Sequence, residues 1–235
     1  MIPWLGDAVA FPPDDQALSE PNGLIAAGGS LSPAWLLAAY RRGIFPWFSE
    51  GEPILWWTPD PRLVLIPGQL HVSHSLRRTL RKRRFEVRTD TSFAAVMRAC
   101  AAPRTPGLGT WITPAMQAAY LRMHELGYAH SVECWREGRL VGGLYGMAIG
   151  SVFFGESMFA FETDASKVAL AHLDRLLAEL SYAIIDCQMT TPHLQSMGAR
   201  EMPRERFVET LARWVPDGPP PRKWEADSAQ HLSWP

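Results

Sequence analysis

The feature that most constrains the fold is the order of strand-like and helix-like patterns after residue 62. Apolar strand patterns alternate with helical patterns at first, and three strand patterns then follow one another between residues 131 and 157. Glu137 and Gly138 separate the first two of these, as expected for a hairpin turn. Antiparallel strands followed by a helix and a further strand predict a mixed α/β domain.

The same patterns predict the individual elements. Strands are expected at 63–66, 85–88, 131–136, 140–149, 151–157 and 183–188. Helices are expected at 32–42, 73–83, 92–100, 113–125, 164–182, 191–197 and 204–214. The first sixty residues are rich in proline and glycine and carry only one of these helices. We therefore predict a small irregular N-terminal domain at 1–61 and a larger domain at 62–235.

Composition excludes two classes of protein. With 47% hydrophobic and 20% charged residues among 235, the chain is too apolar for intrinsic disorder. The longest uncharged stretch near the apolar centre of the chain is residues 140–155. Glycines interrupt this stretch, and it is shorter than the run of about 18 apolar residues that a membrane helix needs. The first residues lack the basic and apolar regions of a signal peptide. We expect a cytoplasmic protein with no membrane partner.

No cofactor or metal site is expected. The sequence has no Walker loop, no dinucleotide-binding G-x-G-x-x-G after a strand and no G-x-S-x-G elbow. The three cysteines are widely spaced and match neither a disulfide framework nor a zinc pattern. His71 and His74 are followed by arginines, which disfavour a bound cation.

One segment is strongly basic although the chain has a net charge of −1. Residues 61–85 contain no acid and seven basic residues: Arg62, Arg77, Arg78, Arg81, Lys82, Arg83 and Arg84. On the predicted helix, Arg77, Arg81 and Arg84 share one face. Such a face suits contact with a phosphate backbone, and the alternative is a solvated charged surface.

Two tryptophans lie in turns beside proline or glycine. Trp47 follows Pro46, and Trp111 lies two residues after Gly109. Exposed indoles stack on nucleobases, which favours a nucleic-acid partner. The alternative is that both side chains are buried between the domains.

Polar residues end two of the predicted strands. Asp186 and Gln188 end one, and Glu156 lies near the end of another. Because strand side chains alternate, Asp186 and Gln188 are expected on one face, and ligands of α/β sheets bind beyond strand ends. These residues could therefore share one cleft. Alternatively, Asp186 caps the next helix or accepts backbone donors, and Glu156 lies in a solvated turn.

Together these motifs resemble a known family. The motifs are EPNGL at 20–24, RGIFPWF at 42–48, LWWTPDPR at 55–62, GTWIT at 109–113, HELG at 124–127, GESMF at 155–159, DASK at 164–167 and DCQ at 186–188. In this order they closely resemble bacterial leucyl/phenylalanyl-tRNA-protein transferases.

The resemblance implies a cytosolic enzyme that moves Leu or Phe, and less readily Met, from aminoacyl-tRNA to a protein. Because no self-complementary interface stands out in the sequence, a monomer is expected by default. The acceptor would be the α-amine of an N-terminal Arg or Lys, and the product would be marked for degradation. The resemblance also implies a second domain with a GNAT-like fold. The acetyl-CoA signature R/Q-x-x-G-x-G/A is missing after the third strand, as expected for a tRNA donor.

Site residues are also implied by position. Trp47 and Trp111 would hold the terminal adenine of the tRNA, and Arg77, Arg78, Arg81 and Lys82 would contact its acceptor stem. The pocket for the Leu or Phe side chain would be lined by Leu144, Phe153, Met158, Leu170, Leu173 and Ile185. The sequence departs from relatives at Leu144 and Leu173 and at Thr191, where other members have an asparagine.

Asp186, Gln188 and Glu156 are the expected catalytic residues. Gln188, held by Asp186, would orient the incoming amine and help to remove its proton, and Glu156 would attract the positive acceptor. A second interpretation is that these residues act by geometry alone. Two other functions stay open at this stage: a tRNA-dependent ligase for a small amine, and a noncatalytic RNA-binding module.

Overall fold

The computed structural model describes residues 2–102, 110–216, 218–229, 232 and 234. Its strands are β1 (Trp4–Leu5), β2 (Leu24–Gly28), β3 (Phe45–Pro46), β4 (Leu55–Trp57), β5 (Arg62–Leu65), β6 (Glu86–Thr89), β7 (Ala129–Arg136), β8 (Arg139–Ile149), β9 (Val152–Ala160), β10 (Ile184–Gln188) and β11 (Arg200–Met202). Its α-helices are α1 (Pro33–Tyr40), α2 (His74–Arg81), α3 (Phe93–Ala101), α4 (Pro114–Glu125), α5 (Ala165–Glu179), α6 (Pro192–Ser196) and α7 (Arg204–Trp214).

The larger sheet has seven strands in the order β11-β5-β10-β9-β8-β7-β6. Strands β6 to β9 are antiparallel neighbours, as the hairpin signal predicts. Helix α5 then crosses over to β10, which runs parallel to β9 and antiparallel to β5. The predicted mixed α/β class is therefore confirmed.

The N-terminal residues form a second sheet that the sequence patterns did not predict. Its order is β1-β2-β4-β3, with β1 parallel to β2 and the other pairs antiparallel. Its strands are only two to five residues long, too short to show a two-residue periodicity. The short edge strand β11 was missed for the same reason.

Two apolar clusters cover the two faces of the large sheet. The first joins the N-terminal sheet and helix α1 to helices α3 and α4 and to one face of the large sheet. The second packs helices α2 and α5 on the other face. The small sheet is built from residues before the predicted boundary at residue 61, and the large sheet from residues after it. Both sheets contribute side chains to the first cluster. The domain boundary stays a prediction. Within the described residues, no helix is long and apolar enough to cross a membrane.

A β-bulge interrupts the pairing of β8 and β9. Tyr145 pairs with Ser157 and Gly146 pairs with Gly155, so Glu156 is an extra residue in β9. The extra residue changes which side chains share a face. Phe154 and Phe159 both belong to the first cluster, although their positions differ by five, which would place them on opposite faces of a regular strand.

Gly146 lies beside this bulge, and the packing leaves no room for a side chain. An added Cβ would overlap the carbonyl oxygen of Phe154 and the ring of Phe153. We expect Gly146→Ala to lower the free energy of unfolding by about 1–3 kcal/mol, measured by chemical denaturation. The control is Gly6→Ala, where a Cβ would meet nothing within 4 Å. Equal stabilities for the two variants would show that the bulge tolerates repacking.

Candidate active site

The candidate site lies where the large sheet splits between β9 and β10. Their pairing ends at Phe154 opposite Asp186, although β9 continues to Ala160 and β10 to Gln188. Beyond this point Glu156 and Gln188 face each other across the gap, and Gln188 Nε2 donates to Glu156 Oε1 at 3.2 Å. The predicted convergence of the two polar strand ends is therefore found in the structure.

A second irregularity shapes the β10 side of the gap. Asp186 pairs with Val64 and Gln188 with Leu63, which leaves Cys187 as an extra residue, and Gln188 has a φ of +63°. This backbone turns back on itself so that the Gln188 N–H donates to Asp186 Oδ1 at 2.9 Å. Asp186 thus fixes the backbone of Gln188, and the amide side chain points to Glu156.

Asp186 is held by a buried arginine. Arg62 donates from Nε to Asp186 Oδ1 at 2.8 Å and from Nη2 to Oδ2 at 2.7 Å, and both side chains are fully buried. Arg62 Nη1 also donates to the Gly43 carbonyl, and its guanidinium lies 5.0 Å from the Phe45 ring centre and 4.7 Å from that of Phe207. Arg62 therefore adds nothing to the exposed basic face with which the sequence groups it.

Glu156 is buried rather than solvated, with 9% of its surface exposed. The Tyr40 hydroxyl donates to Oε1 at 2.6 Å and the Tyr120 hydroxyl donates to Oε2 at 3.0 Å, so the turn interpretation is wrong. Burial raises the pKa of Glu156 to about 7, against the lowering effect of the two phenols. A pKa in this range suits a group that exchanges protons near neutral pH.

The two phenols reach Glu156 from separate parts of the chain. Tyr40 ends helix α1 and Tyr120 lies in helix α4, and their hydroxyls also contact each other. Burial and the neighbouring Glu156 charge raise the pKa of both phenols well above 10. Both therefore stay protonated donors. The ring of Tyr145 lies 5.7 Å from that of Tyr120, and its buried hydroxyl has no partner among the described residues.

The sequence missed Arg62, Tyr40 and Tyr120 as site residues. The two tyrosines lie among buried apolar residues of their helices, where the sequence pattern predicts only core packing. Arg62 had a usable signal. It begins an otherwise apolar strand, where a charge is costly unless it is paired.

The residues of the expected side-chain pocket come together in the second apolar cluster. Leu144, Phe153, Leu170, Leu173 and Ile185 are buried there, and Met158 packs against them half-buried. They lie between the sheet and α5, on the face opposite the first cluster. Their role in holding a Leu or Phe side chain stays a prediction.

The expected tRNA-binding residues lie at the surface or near it. Trp47 is 36% exposed, and its ring lies 5.4 Å from that of Trp57, whereas Trp111 is half-buried against the first cluster. Gly109 of the second tryptophan motif lies outside the described residues. Helix α2 buries Leu76 and Leu80 and exposes Arg77, Arg78, Arg81 and Lys82. Contact of these residues with tRNA stays a prediction.

Two further observations concern ligands. Thr191 accepts from the Leu194 N–H at 3.3 Å as the N-cap of α6, so its hydroxyl already has a structural role. In the part of the chain that the structure describes, no group of three or more His, Cys, Asp and Glu side chains could hold a metal ion.

Fold and site together define the class of protein. An α/β sheet that splits beyond a parallel strand pair, with a titratable carboxyl and an amide in the gap, has the arrangement of an α/β enzyme. Comparison with known families is more specific. The sequence profile described as leucyl/phenylalanyl-tRNA protein transferase matches residues 64–212, and the profile of that protein's N-terminal domain matches residues 29–60. The chain belongs to this family of transferases.

Curated relatives carry the same name. The leucyl/phenylalanyl-tRNA–protein transferase of Azoarcus sp. strain BH72 is 68% identical over 234 residues, which is 100% of both chains. That of Aromatoleum aromaticum is 65% identical and covers 99% of this chain and 98% of its own length. That of Nitrosospira multiformis is 56% identical and covers 98% and 99%.

Solved structures show only a distant likeness. A GCN5-related N-acetyltransferase from Kribbella flavida aligns with 73% of this chain over 61% of the acetyltransferase chain, at 13% identity and a TM-score of 0.37. L-PGS from Bacillus licheniformis aligns with 71% and 53%, at 9% identity and a TM-score of 0.38. The order and direction of the strands described above define the fold of this chain.

The raised pKa of Glu156 predicts a pH-dependent stability. Between pH 4.5 and about 7, the folded protein keeps a proton that the unfolded chain has lost, so stability from this group falls as pH rises. In Glu156→Gln this loss is removed. We expect the difference in unfolding free energy between native protein and variant to change by about 2–3 kcal/mol from pH 5 to pH 8.

The control is Glu125→Gln, which replaces an exposed carboxyl on α4. Denaturation curves at each pH give the difference for both variants. A pH-independent difference for Glu156→Gln would show that Glu156 is already ionised at pH 5.

The buried ion pair predicts a large stability effect. Asp186→Asn leaves the Arg62 charge buried without a counter-charge, and we expect a loss of about 3–5 kcal/mol in unfolding free energy. Arg122→Ala breaks an exposed pair with Glu125 and should cost less than about 0.5 kcal/mol. Similar losses in the two variants would contradict the structural importance given to the Arg62–Asp186 pair.

Proposed function

We propose that this protein transfers Leu or Phe, and less readily Met, from aminoacyl-tRNA to the α-amine of proteins with N-terminal Arg or Lys. The new N-terminal residue would mark the product for degradation. Family membership supports the transfer itself, since the relatives' name states it. The observation that carries the proposal is the chain of buried polar contacts from Arg62 through Asp186 and Gln188 to Glu156 at the split of the sheet.

The reaction makes modest chemical demands. The acceptor nitrogen attacks the carbonyl carbon of the aminoacyl ester, a C–N bond forms, and the C–O bond to the tRNA ribose breaks. The amine loses a proton and the ribose oxygen gains one, so the step is balanced without a cofactor. An α-amine has a pKa near 7.7–8.0, and a useful fraction is already nucleophilic at neutral pH. Positioning is therefore expected to supply much of the rate.

We assign Asp186 a positioning role. Arg62 engages both of its oxygens, and the carboxylate is fully buried, so it has no direct route to the amine. It instead fixes the backbone of Gln188. The Gln188 amide donates to Glu156, and its oxygen can accept from the N–H of the incoming amine.

Glu156 is the better proton acceptor of the two carboxylates, because its partners are neutral side chains and 9% of its surface is exposed, whereas Asp186 is fully buried against a charged arginine. Its pKa of about 7 lies close to that of the amine, which suits general-base catalysis. Tyr40 and Tyr120 hold its oxygens in place and remain protonated. When ionised, Glu156 also places a negative charge next to the positively charged acceptor.

The remaining groups would bind the donor. The exposed cations of α2 suit the phosphates of the acceptor stem, and the indoles of Trp47 and Trp111 suit the terminal adenine. An apolar pocket for the aminoacyl side chain discriminates a single methylene by only about 1–3 kcal/mol, so some transfer of Met is expected. We propose that the protein acts as a monomer in the cytoplasm, where charged tRNA is present.

The proposal predicts the outcome of one transfer assay. Radiolabelled Leu-tRNA is offered with two peptides that differ only in N-terminal Arg or Ala. We expect label on the Arg peptide at a rate at least about tenfold above the Ala peptide, because Glu156 favours a cationic acceptor. Glu156→Gln and Asp186→Ala should each lower the rate on the Arg peptide by about 100-fold.

The control is Asp174→Asn, which alters another buried aspartate on α5, one that accepts from the Gly68 N–H. It should transfer at nearly the native rate. Equal labelling of both peptides would contradict the proposed preference for acceptors with N-terminal Arg or Lys. Binding of tRNA without transfer to either peptide would favour a small-amine acceptor or a noncatalytic RNA-binding role.

A further inference from the structure

An exposed phenylalanine follows the end of β9, close to the basic helix α2. Phe161 is 66% exposed, and its ring lies 5.0 Å from that of Phe159, which is nearly buried. Its backbone N–H donates to the Val141 carbonyl at 2.8 Å. A single exposed aromatic ring of this kind can stack on an unpaired nucleobase.

Glu162, the residue after Phe161, forms ion pairs with two arginines from different parts of the fold. Glu162 Oε2 lies 2.8 Å from Arg136 Nη1, at the end of β7, and 3.4 Å from Arg84 Nη2, just after α2. Arg136 Nε also lies 3.9 Å from Glu137 Oε1, and Glu137 Oε2 lies 4.0 Å from Arg139 Nη2. Three arginines therefore share two carboxylates near Phe161, which leaves an excess of positive charge. We call Arg84, Arg136, Phe161 and Glu162 the β9 exit strip.

The exit strip lies between the candidate active site and helix α2. Strand β9 leads from Glu156 towards Phe161, and five residues of extended chain span roughly 16 Å. Glu162 then contacts the arginine that follows α2. A nucleic acid that reached the site and also contacted α2 would pass over this strip.

We propose that the exit strip binds the single-stranded 3′ end of the donor tRNA. An unpaired base stacks on the Phe161 ring, and Arg84 and Arg136 contact the phosphates beside it. An unpaired base exposes its face for stacking, and single strands bind where exposed aromatic rings and cations lie near each other, as Phe161 and the arginines that contact its neighbour Glu162 do. This inference rests on the proposed function and adds a contact between its two parts, the α2 surface and the reaction centre.

The first test compares two RNA hairpins with the same stem, one with a four-nucleotide 3′ overhang and one with a blunt end. We expect Phe161→Leu to weaken binding of the overhang hairpin by about fivefold or more and to leave the blunt hairpin unchanged. Phe161→Trp should bind the overhang hairpin at least as tightly as the native protein, because the stacking surface is kept. Trp4→Ala, which removes an exposed aromatic ring from the N-terminal sheet, is the control.

The second test measures the dependence of tRNA binding on salt concentration. Arg136→Ala should reduce the slope of log K against log salt by about 0.7–0.9, as expected for one lost phosphate contact. Phe161→Leu should leave the slope unchanged. Arg122→Ala removes an exposed arginine on α4 that is also paired with a glutamate, and it should leave both affinity and slope unchanged.

The outcomes separate this inference from the proposed function. If Arg78→Ala weakens tRNA binding while Phe161→Leu and Arg136→Ala match the native protein, the exit-strip contact is wrong and the proposed function stands. If the native protein binds neither hairpin nor tRNA, the proposed function itself fails. An equal loss of affinity for the overhang and blunt hairpins in Phe161→Leu would overturn the assignment to the single strand.

Discussion

The ion pair between Arg62 and Asp186 is the interaction on which the rest of the structure depends. It joins the first residue of β5 to the strand that borders the split, and through Gly43, Phe45 and Phe207 it also reaches the N-terminal region and helix α7. Two charges without water are tolerated only when each is well paired. The pair therefore holds Asp186 in place, and Asp186 in turn fixes the backbone conformation that directs the Gln188 side chain towards Glu156.

The site is made by departures from regular structure. Pairing between β9 and β10 stops at Asp186, an extra residue at Glu156 alters the pattern of β9, and an extra residue at Cys187 alters β10. Bulges of this kind re-aim side chains next to active sites. A regular ladder would have continued the pairing and closed the gap in which Glu156 meets Gln188.

The sequence predicted the fold of the large sheet better than the details of the site. Hairpin and helix signals between residues 131 and 188 gave the order of elements, because long periodic segments carry strong local signals. The N-terminal sheet left no periodic signal because its strands are short. Partners such as Arg62 for Asp186 are 124 residues apart, and no local pattern indicates such pairing. The motifs located Glu156, Asp186 and Gln188, whereas their buried contacts required the tertiary structure.

The tyrosine from α1 has a consequence for how the chain becomes active. Tyr40 is made early during synthesis, whereas the carboxyl that it contacts lies 116 residues later. Until the N-terminal sheet packs against the large sheet, Glu156 lacks one of its two phenol partners, and the first cluster is incomplete. The candidate site is therefore complete only when the N-terminal region and the large sheet have assembled. Under the proposed function, an incompletely folded chain would transfer an amino acid to no amine.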